Sequence, residues 1–369
     1  MSPATVRAFA PGRVNLIGEH TDYNLGFALP IALDLGTLAD FTPDDGDAVR
    51  ASSATAPGSV VVPLDTEPGG VDGWGAYVAG CVWALRTAGV PVRGGDLRID
   101  SEVPVGSGLS SSAALECSVL LALVEAARAE STGDGGRTPT RMEVARLAQR
   151  AENEYVGAPT GLLDQLSSLF GQRDRALLLD FRTAEVTPVP VATDGAHRLL
   201  VIDSRAPHRN VAGEYGERRA SCAAAADHLG VETLRDAAVD DCRRLADPVE
   251  AARARHVLTE NQRVLAAVAA LRAADHRAFG ALMTESHASM RDDFQITTDH
   301  IDYIVATATR LGALGARMTG GGFGGSVVAL AETAVADRII ADLPAAVTAA
   351  GFPEPVVRAV RPGAGAHLR

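Results

Sequence analysis

The chain has 369 residues, enough for two domains, with 47% hydrophobic and 22% charged residues, as in an ordinary globular protein. Its net charge of −12 argues against a nucleic-acid partner. The sequence contains no lysine, which excludes a Schiff-base mechanism, a lysine nucleophile and a lysine-dependent phosphate loop.

The four cysteines show no paired spacing, which argues against a zinc site and a disulfide framework; they are Cys81, Cys117, Cys222 and Cys242. The first residues lack the apolar run of a signal peptide, and alanine-rich stretches such as 120–127 are too short to span a bilayer. We therefore expect a soluble, cytoplasmic protein without a membrane partner.

In the first half, alternating apolar and turn-forming stretches predict a mixture of strands and helices. Residues 5–40 predict a strand, a loop and a strand, and 41–73 a surface excursion. Further predictions are a helix at 74–88, a strand at 97–103, a helix at 111–129, an exposed loop at 131–140, a helix at 164–170 and a strand at 176–180. Thr140 and Glu143 form a capping box that predicts a helix running to about Val156.

The sequence pattern changes after Pro188 and Pro190, from mixed strands and helices to long alanine- and arginine-rich helices. We therefore place a domain boundary near residue 185, giving domains 1–185 and 186–369. The second half predicts strands at 199–203 and 327–331, long helices over most of 212–311, a glycine-dense segment at 320–325 and a helix after 331.

The most informative segment is GRVNLIGEHTDYN, residues 12–24. It places Arg13, Glu19, His20 and Asp22 around the apolar stretch Val14–Ile17. Buried polar groups need partners, so this pattern favours a short buried strand that delivers a polar cluster to a cleft, suited to a polyhydroxylated ligand such as a sugar. The alternative is an amphipathic strand with a charged turn.

A second candidate is PVGSGLSSSAALE, residues 104–116. Gly106 and Gly108 permit a tight turn, and the following serines open a helix whose free amides and dipole suit a phosphate. Any hydroxyl of the run 110–112 could reach Mg²⁺. The segment lacks the GK[ST] ending of a Walker loop and the spacing of a dinucleotide fingerprint. An ordinary serine-capped helix is the alternative.

Three further positions depend on tertiary contacts that the sequence does not show. Glu152 becomes a metal-ligand candidate if its helix packs beside the serine-rich turn; otherwise it is a solvated surface residue. Asp164 begins an apolar helical run and is a helix cap or, if it faces Arg13, a candidate base for a hydroxyl. Five glycines at 320–325 indicate close backbone approach, with a flexible loop as the alternative.

Together and in this order, the segments resemble the GHMP family of small-molecule kinases and, within it, the kinases that act on galactose. The 12–24 stretch is similar to that group's sugar-binding signature, GLSSSAALE to the phosphate loop, GLLDQLSS to the segment with the catalytic aspartate, and RMTGGGFGGSVVAL to the third motif. Leu282–Ile304 also resembles these kinases, so the resemblance extends nearly end to end.

The resemblance implies a two-domain α+β fold. The N-terminal domain would be ribosomal-protein S5-like and the C-terminal domain ferredoxin-like, with the active site in the cleft between them. The implied activity is ATP-dependent phosphorylation of galactose at the anomeric C1 hydroxyl, with Mg²⁺ as cofactor. We expect a monomer whose partners are the sugar and ATP.

The resemblance also implies roles for individual residues. Asp164 would accept or orient the proton of the C1 hydroxyl, and Arg13 would hold Asp164 ionised and offset charge on the transferred phosphoryl group. The sugar-binding residues would be Glu19, His20, Thr21, Asp22, Gly161 and Tyr215. The ATP-binding residues would be Gly106, Ser107, Gly108, Leu109, Ser110, Ser111 and Ser112. Ser112 and Glu152 would bind the metal.

Departures from the family pattern are mild: Leu162 and Leu163, the APTG turn at 158–161, and Gly321. They leave sugar specificity open, so a kinase of the same family for N-acetylgalactosamine or arabinose is a rival. A non-catalytic galactose and ATP sensor is a second, although the residues of the phosphate loop and the catalytic pair are present. A non-enzymatic alanine-rich scaffold would leave the polar and glycine-rich clusters unexplained.

Overall fold

The computed structural model describes residues 4–130, 138–158, 160–191, 195–206 and 211–369. The strands are β1 (Val6–Asn15), β2 (Phe27–Ala28), β3 (Pro30–Asp44), β4 (Ala48–Ser53), β5 (Ser59–Pro63), β6 (Gly94–Ser101), β7 (Arg175–Asp180), β8 (Glu185–Pro190), β9 (His197–Asp203), β10 (Gly315–Thr319), β11 (Ser326–Glu332), β12 (Val356–Val360) and β13 (His367–Leu368). The α-helices are α1 (Gly75–Thr87), α2 (Ser111–Glu130), α3 (Arg141–Arg150), α4 (Leu163–Phe170), α5 (Val211–Leu229), α6 (Pro248–Arg272), α7 (His276–Ser289), α8 (Asp299–Arg310) and α9 (Thr333–Ala349). Short 3₁₀ segments lie at Asp22–Asn24, Leu234–Asp236 and Val239–Arg244, and π-helical segments at Ala151–Val156 and Met290–Phe294.

A six-stranded sheet with the order β13-β1-β3-β6-β4-β5 forms the centre of the first half. Helix α2 packs against β1 and β3, and α1 packs against α2. Alanines such as Ala79 and Ala122, which are fully buried, let these helices lie close to one another and to the sheet.

The second half is built on a four-stranded antiparallel sheet with the order β10-β11-β9-β12. Helices α8 and α9 contact this sheet, and β10 is buried along its whole length. A small sheet, β2-β7-β8, lies beside the first one. This arrangement of sheets and covering helices is the expected α+β class.

One hydrophobic cluster joins the two halves. Leu16 and Ile17, which follow β1, belong to the same cluster as Val264 of α6, Phe279 of α7 and Val328 of β11, and all five are fully buried. The last strand of the chain, β13, pairs with β1 and so belongs to the first sheet. The domain boundary near residue 185 stays a prediction; β8 starts there and pairs with β7.

Most predicted helices and strands are confirmed, including the capping box, in which the Thr140 hydroxyl accepts from the Glu143 amide and the Glu143 carboxylate accepts from the Thr140 amide. The surface excursion predicted at 41–73 is wrong for 41–63, which extends β3 and then forms the hairpin β4–β5, burying Val49 and Val62. Residues 64–73 form no helix or strand and are mostly exposed, as predicted. The predicted exposed loop at 131–140 falls largely on 131–137, outside the described residues.

The cysteine and membrane predictions can also be compared with the structure. All four cysteines are free and buried. Across the described ranges, no helix is long and apolar enough to cross a membrane.

Candidate active site

Arg13 and Asp164, which lie 151 positions apart, meet in a bidentate ion pair. Arg13 Nε donates to Asp164 Oδ1 at 2.7 Å and Nη2 donates to Oδ2 at 2.9 Å. Arg13 comes directly after an irregularity in the pairing of β1 with β3, at Pro11 and Gly12, and such a bulge redirects the following side chain. Because the Asp164 carboxylate is bound to Arg13, the interpretation of Asp164 as a helix cap is wrong.

The turn before α2 lies directly against this pair. Arg13 Nη1 donates to the Gly108 carbonyl at 2.6 Å, and the Arg13 amide donates to the Leu109 carbonyl at 3.1 Å. Ser110 has a positive φ of 57° and its hydroxyl donates to Asp164 Oδ2. Gly106 and Gly108 also have positive φ values, of 77° and 76°, as their predicted role in a tight turn requires.

A cavity of about 370 Å³ opens beside the ion pair. Its wall includes most of the predicted sugar-binding residues and residues that the sequence did not single out. The lining residues are Arg13, Asn15, Glu19, His20, Asp22, Ala158, Thr160, Gly161, Leu163, Asp164, Tyr215, Gly320 and Gly321. A volume of this size, with converging polar groups, suits a small polar ligand.

Glu19 is buried with only 3% of its surface exposed, and it still lines the cavity. The Gly320 amide donates to Oε1 at 2.6 Å, and the Asn15 side-chain amide donates to Oε2. Burial raises the pKa of Glu19 to about 7, although the nearby guanidinium of Arg317 acts in the opposite direction. Near neutral pH this carboxyl group is therefore poised between its charged and neutral forms.

His20 is held as a neutral imidazole in a strained backbone conformation, with φ of 60°. Its Nε2 lies 3.1 Å from the Gly321 carbonyl, which can only accept, so Nε2 carries the proton and Nδ1 accepts from the Tyr23 hydroxyl at 2.8 Å. Burial lowers the pKa of His20 to about 3. The Tyr215 ring lies beside it, with centroids 5.0 Å apart.

Asp22 and Gly161 lie next to each other in the cavity wall. A Cβ atom on Gly161 would lie 1.6 Å from Asp22 Oδ2, so no larger residue fits at 161 without displacing the carboxylate. Burial raises the pKa of Asp22 to about 6, and Asp164 contributes in the same direction. The close approach explains why a glycine is needed here.

Glu152 lies at the start of the π-helical segment 151–156 and is buried, not solvated. Its Oε2 accepts hydrogen bonds from Thr160 Oγ1 at 3.1 Å and from Gln165 Nε2 at 2.9 Å. Burial raises the pKa of Glu152 to about 7, whereas a hydrogen bond from Ser112 lowers it. Ser112 and Glu152 are thus brought together, as a shared metal site requires.

The glycine-rich segment 320–325 connects the sugar-side residues to the phosphate turn. Beyond its contacts with Glu19 and His20, it lies against the turn, where a Cβ on Gly320 would approach the Gly108 carbonyl oxygen to 3.5 Å. The Ser326 hydroxyl, which follows the segment, donates to the Ser107 carbonyl at 2.6 Å. These contacts with both neighbours favour the interpretation of close backbone approach.

Nine predicted site residues lie outside the cavity wall: Thr21, the seven residues of the phosphate turn at 106–112, and Glu152. At three of them the side chain or backbone is used by the fold itself. The Thr21 hydroxyl is within hydrogen-bond distance of the Gly18 and Phe27 carbonyls, and the Ser107 hydroxyl donates to the Pro104 carbonyl. Leu109 is buried, and its backbone carbonyl faces Arg13. At these three positions, the contacts described are with the protein itself.

Sequence reasoning missed two residues around Glu19. Asn15 lies inside the GRVNLIGEHTDYN motif, where its position four residues before Glu19 is a signal that could have been used. Arg317 lies in the GARMTGGGFGG segment, in which only the glycines were singled out, and the strand β10 that carries it was not predicted.

Sequence signatures of known families match three parts of the chain. The GHMP kinase N-terminal domain matches residues 76–172, the GHMP kinase C-terminal domain matches 267–349, and the galactokinase galactose-binding signature matches 2–43. Together these matches include Arg13, the phosphate turn and Asp164. The class of protein that the fold and the site define is therefore a small-molecule kinase of the GHMP type.

Curated relatives narrow the class. A galactokinase of Mycobacterium bovis is 56% identical over 357 residues, which cover 96% of each chain. A galactokinase of Streptomyces coelicolor is 46% identical and covers 97% of this chain and 92% of its own. This chain belongs to the galactokinase family of GHMP kinases, and it is an enzyme of the kinase class.

Solved structures of kinases are similar to this chain over nearly its full length. The Lactococcus lactis galactokinase complexed with galactose is 30% identical, with a TM-score of 0.90 over 99% of this chain and 95% of that one. A mevalonate kinase is 17% identical with a TM-score of 0.67 over 97% of this chain and 98% of its own, which shows a shared fold. The expected GHMP kinase fold is confirmed.

Proposed function

We propose that this chain transfers the γ-phosphoryl group of ATP to the anomeric C1 hydroxyl of galactose. The observation that carries the proposal is the Arg13–Asp164 pair, which lies at the junction of a polar cavity and a glycine- and serine-rich turn. A hydroxyl acceptor in the cavity and phosphates on the turn would meet at Asp164. The galactokinase relatives and the galactose named in the Lactococcus lactis complex support this choice of substrate.

In this proposal the cavity wall holds the sugar through hydroxyl-specific contacts. Glu19 and Asp22 accept hydrogen bonds from sugar hydroxyls when ionised. The Tyr215 ring closes one side beside His20, and the Gly161 backbone lies at the wall without a side chain. Thr21 supports the fold of this segment through the carbonyls of Gly18 and Phe27.

Asp164 is the group that faces the reacting hydroxyl. Arg13 occupies one acceptor position on each carboxylate oxygen, and Ser110 adds a further hydrogen bond at Oδ2. Each carboxylate oxygen has two lone pairs, so Oδ1 keeps one that can accept the C1 hydroxyl proton. The carboxylate is thereby oriented for proton acceptance, while the guanidinium also offsets charge on the transferred phosphoryl group.

The phosphate turn supplies the nucleotide side of the site. Gly106, Gly108 and Ser110 turn the chain so that α2 begins at Ser111. The amides in the first turn of a helix lack intrahelical partners and favour an anion. We place the ATP phosphates along 106–112, with the Ser111 and Ser112 amides at the helix opening.

Ser112 and Glu152 fit a magnesium ion. Mg²⁺ prefers oxygen ligands and in kinases combines one or two carboxylates with substrate phosphates and water. The oxygens of Ser112 and Glu152 meet at the phosphate turn, and the described residues contain no cluster of three or more His, Cys, Asp and Glu side chains that could hold the ion alone. A bound Mg²⁺ would neutralise phosphate charge during transfer.

The expected setting of the reaction is a single chain in the cytoplasm, with domains 1–185 and 186–369 on the two sides of the cleft. Four free, buried cysteines are what a reducing compartment favours.

An ADP-release assay with Mg-ATP and a panel of monosaccharides tests the proposal. We expect galactose to give the highest kcat/KM, and ³¹P NMR of the product to show phosphate at the anomeric position. N-acetylgalactosamine and arabinose belong in the panel because the wall facing the C2 substituent sets the choice among these sugars. A higher kcat/KM for one of these two sugars would mean that it, and not galactose, is the substrate. ATP hydrolysis that does not depend on any sugar would contradict sugar-kinase activity.

A further inference from the structure

A fully buried arginine lies behind the proposed sugar site. Arg317 is the central residue of β10, in which every residue is buried, and its own exposure is 0%. Its sequence neighbours are Ala316 and Met318. A charged side chain in such a position is costly unless other groups compensate for it.

The guanidinium lies between two carboxylates. Nη1 is 3.7 Å from Glu19 Oε1, and Nη2 is 3.8 Å from Glu260 Oε1. Nη1 also donates to the Asn15 carbonyl at 3.3 Å. Both carboxylates are almost completely buried, so the charges interact with little screening by water.

Glu260 has its own set of partners. It accepts from the Gly18 amide at 2.9 Å, from Ser286 Oγ at 2.6 Å and from Arg263 Nε at 2.7 Å. Burial alone would raise the pKa of Glu260, but the guanidinium of Arg263, and to a smaller extent that of Arg317, lowers it to about 2. Glu260 is therefore held as an anion with Arg263 as a direct hydrogen-bonded cation, and the charge of Arg317 remains available to Glu19.

Glu19 has no such direct cation. Its carboxylate oxygens accept hydrogen bonds from the neutral amide groups of Gly320 and Asn15. The charged and titratable groups around it are Arg13 of β1, Glu260 and His256 of α6, Arg317 of β10 and the adjacent His20. Within this set Glu260 opposes ionisation of Glu19, and Arg317 favours it most strongly.

We propose that Arg317 is a positioning residue for galactose: its buried charge favours the ionised, hydrogen-bond-accepting form of Glu19 at the cavity and separates this carboxylate from Glu260. The inference rests on the proposed function. Stability alone is a weak reason for the cation, because apolar residues often replace buried ion pairs without loss. Without Arg317, Glu19 and Glu260 would face each other, and Glu19 would take up a proton and lose acceptor capacity.

The test uses three variants of the full chain, each measured for galactose KM, ATP KM and kcat across neutral pH. Arg317→Met removes the charge at similar length, and Arg317→Lys retains it. Arg263→Met is the matched control, because it removes a cation from Glu260 without touching Glu19. Wild-type turnover of galactose in the same assay separates failure of this inference from failure of the proposed function.

For Arg317→Met we expect galactose KM to rise about ten- to a hundredfold, the scale of losing an interaction with a charged group, with kcat and ATP KM close to wild type. The acid limb of kcat/KM for galactose should move to higher pH, because removing a cation raises a carboxyl pKa. Arg317→Lys should recover part of the affinity, and Arg263→Met should stay near wild type. An unchanged galactose KM and acid limb in folded Arg317→Met would overturn the inference, as would an equal effect of Arg263→Met.

If Arg317→Met does not fold, Arg317→Lys is measured in the wild-type and Glu19→Gln backgrounds. Arg317→Lys should raise galactose KM only in the background where residue 19 is a carboxylate. An equal rise in both backgrounds would show that Arg317 acts through the fold in general, and would overturn the inference.

Discussion

At the scale of single residues, neighbouring carboxylates in one cavity have different electrostatic surroundings. Asp164 has a bidentate arginine partner, whereas Glu19 has amide hydrogen bonds and a guanidinium 3.7 Å away. Burial raises the pKa of Glu19 to about 7 and that of Asp22 to about 6. Sugar binding should therefore depend on pH through Glu19 and Asp22.

The first prediction concerns this pH dependence. As pH falls through the pKa of Glu19, near 7, the group gains a proton and loses an acceptor for sugar hydroxyls, so kcat/KM for galactose should fall. Because kcat/KM reports ionisations of the free enzyme, its acid limb should lie near that value. Circular dichroism over the same range is the control for folding. A flat profile down through the pKa of Asp22, near 6, would contradict the assignment.

Removing the Glu19 carboxylate should mainly weaken galactose binding, with little effect on the other steps of the reaction. Glu19→Ala is expected to raise galactose KM roughly ten- to a hundredfold, as for loss of hydrogen bonds to a charged group, with ATP KM little changed. Steady-state kinetics measure both constants. Glu354→Ala, at an exposed position, is the matched control. Unchanged galactose KM in folded Glu19→Ala would remove Glu19 from the site.

The sequence allowed prediction of residues whose chemistry is unusual for their local context. Arg13 and Asp22 stood out because charged groups there alternate with an apolar stretch. Arg317 did not, because its partners Glu19 and Glu260 come from the segment after β1 and from α6, and no local pattern reports such distant carboxylates. The sequence makes Asp164 a candidate base only if its side chain faces Arg13, and in the structure the two side chains form an ion pair.

At the scale of elements, the chain from α3 to α4 brings three site residues together. Helix α3 continues as the π-helical segment that carries Glu152, and a turn containing Gly161 leads to Asp164 in the first turn of α4. The sequence predicted one continuous helix up to about Val156. A change from α to π hydrogen bonding adds about one residue to a turn and leaves no clear mark in the apolar pattern.

Gly161→Ala should damage sugar binding, because the added methyl group would overlap Asp22 Oδ2. We expect a rise in galactose KM of at least about tenfold, the result of displacing one charged hydrogen-bonding group. Gly216→Ala is the matched control: this glycine lies in α5 near Tyr215, has no neighbour within 4 Å of an added Cβ, and should be tolerated. Equal galactose KM values for the two variants would contradict the steric account.

The capping box of α3 should affect stability and not substrate affinity. Thr140→Ala removes the hydroxyl that accepts from the Glu143 amide, and should lower the free energy of unfolding by about 1 kcal/mol. Denaturant unfolding measures this change, and kinetics should show galactose KM and ATP KM near wild type. A large change in either KM without a loss of stability would show that this helix end contributes to the site.

The hairpin β4–β5 shows why edge strands were harder to predict than helices. Its strands are short, Val61 is 60% exposed, and the flanking residues are rich in Asp, Pro and Gly. These features resemble a loop, since solvent-facing edges keep polar and turn-forming residues. Pairing of β4 with β6 decides the outcome, and it is a contact outside the local sequence.

At the scale of the whole molecule, the two halves contribute different walls to one cavity. Arg13, Glu19 and Asp164 come from the first half, whereas Tyr215 and Gly321 come from the second. The family resemblance allowed the fold class to be predicted, and the structural match to a galactokinase confirms it. The detailed wall could not be predicted, because it depends on how the glycine-rich segment docks against β1 and the phosphate turn.

The central claim is that Asp164 acts on the acceptor hydroxyl, and Asp164→Asn tests it most directly. The variant keeps the shape of the side chain but removes the charge that Arg13 binds. The measurement is galactose-dependent ADP release at saturating substrates, with galactose binding followed by equilibrium titration. We predict retained binding and a kcat lower by roughly two to four orders of magnitude, the scale of a positioned proton acceptor. A kcat near wild type in this variant would contradict the account.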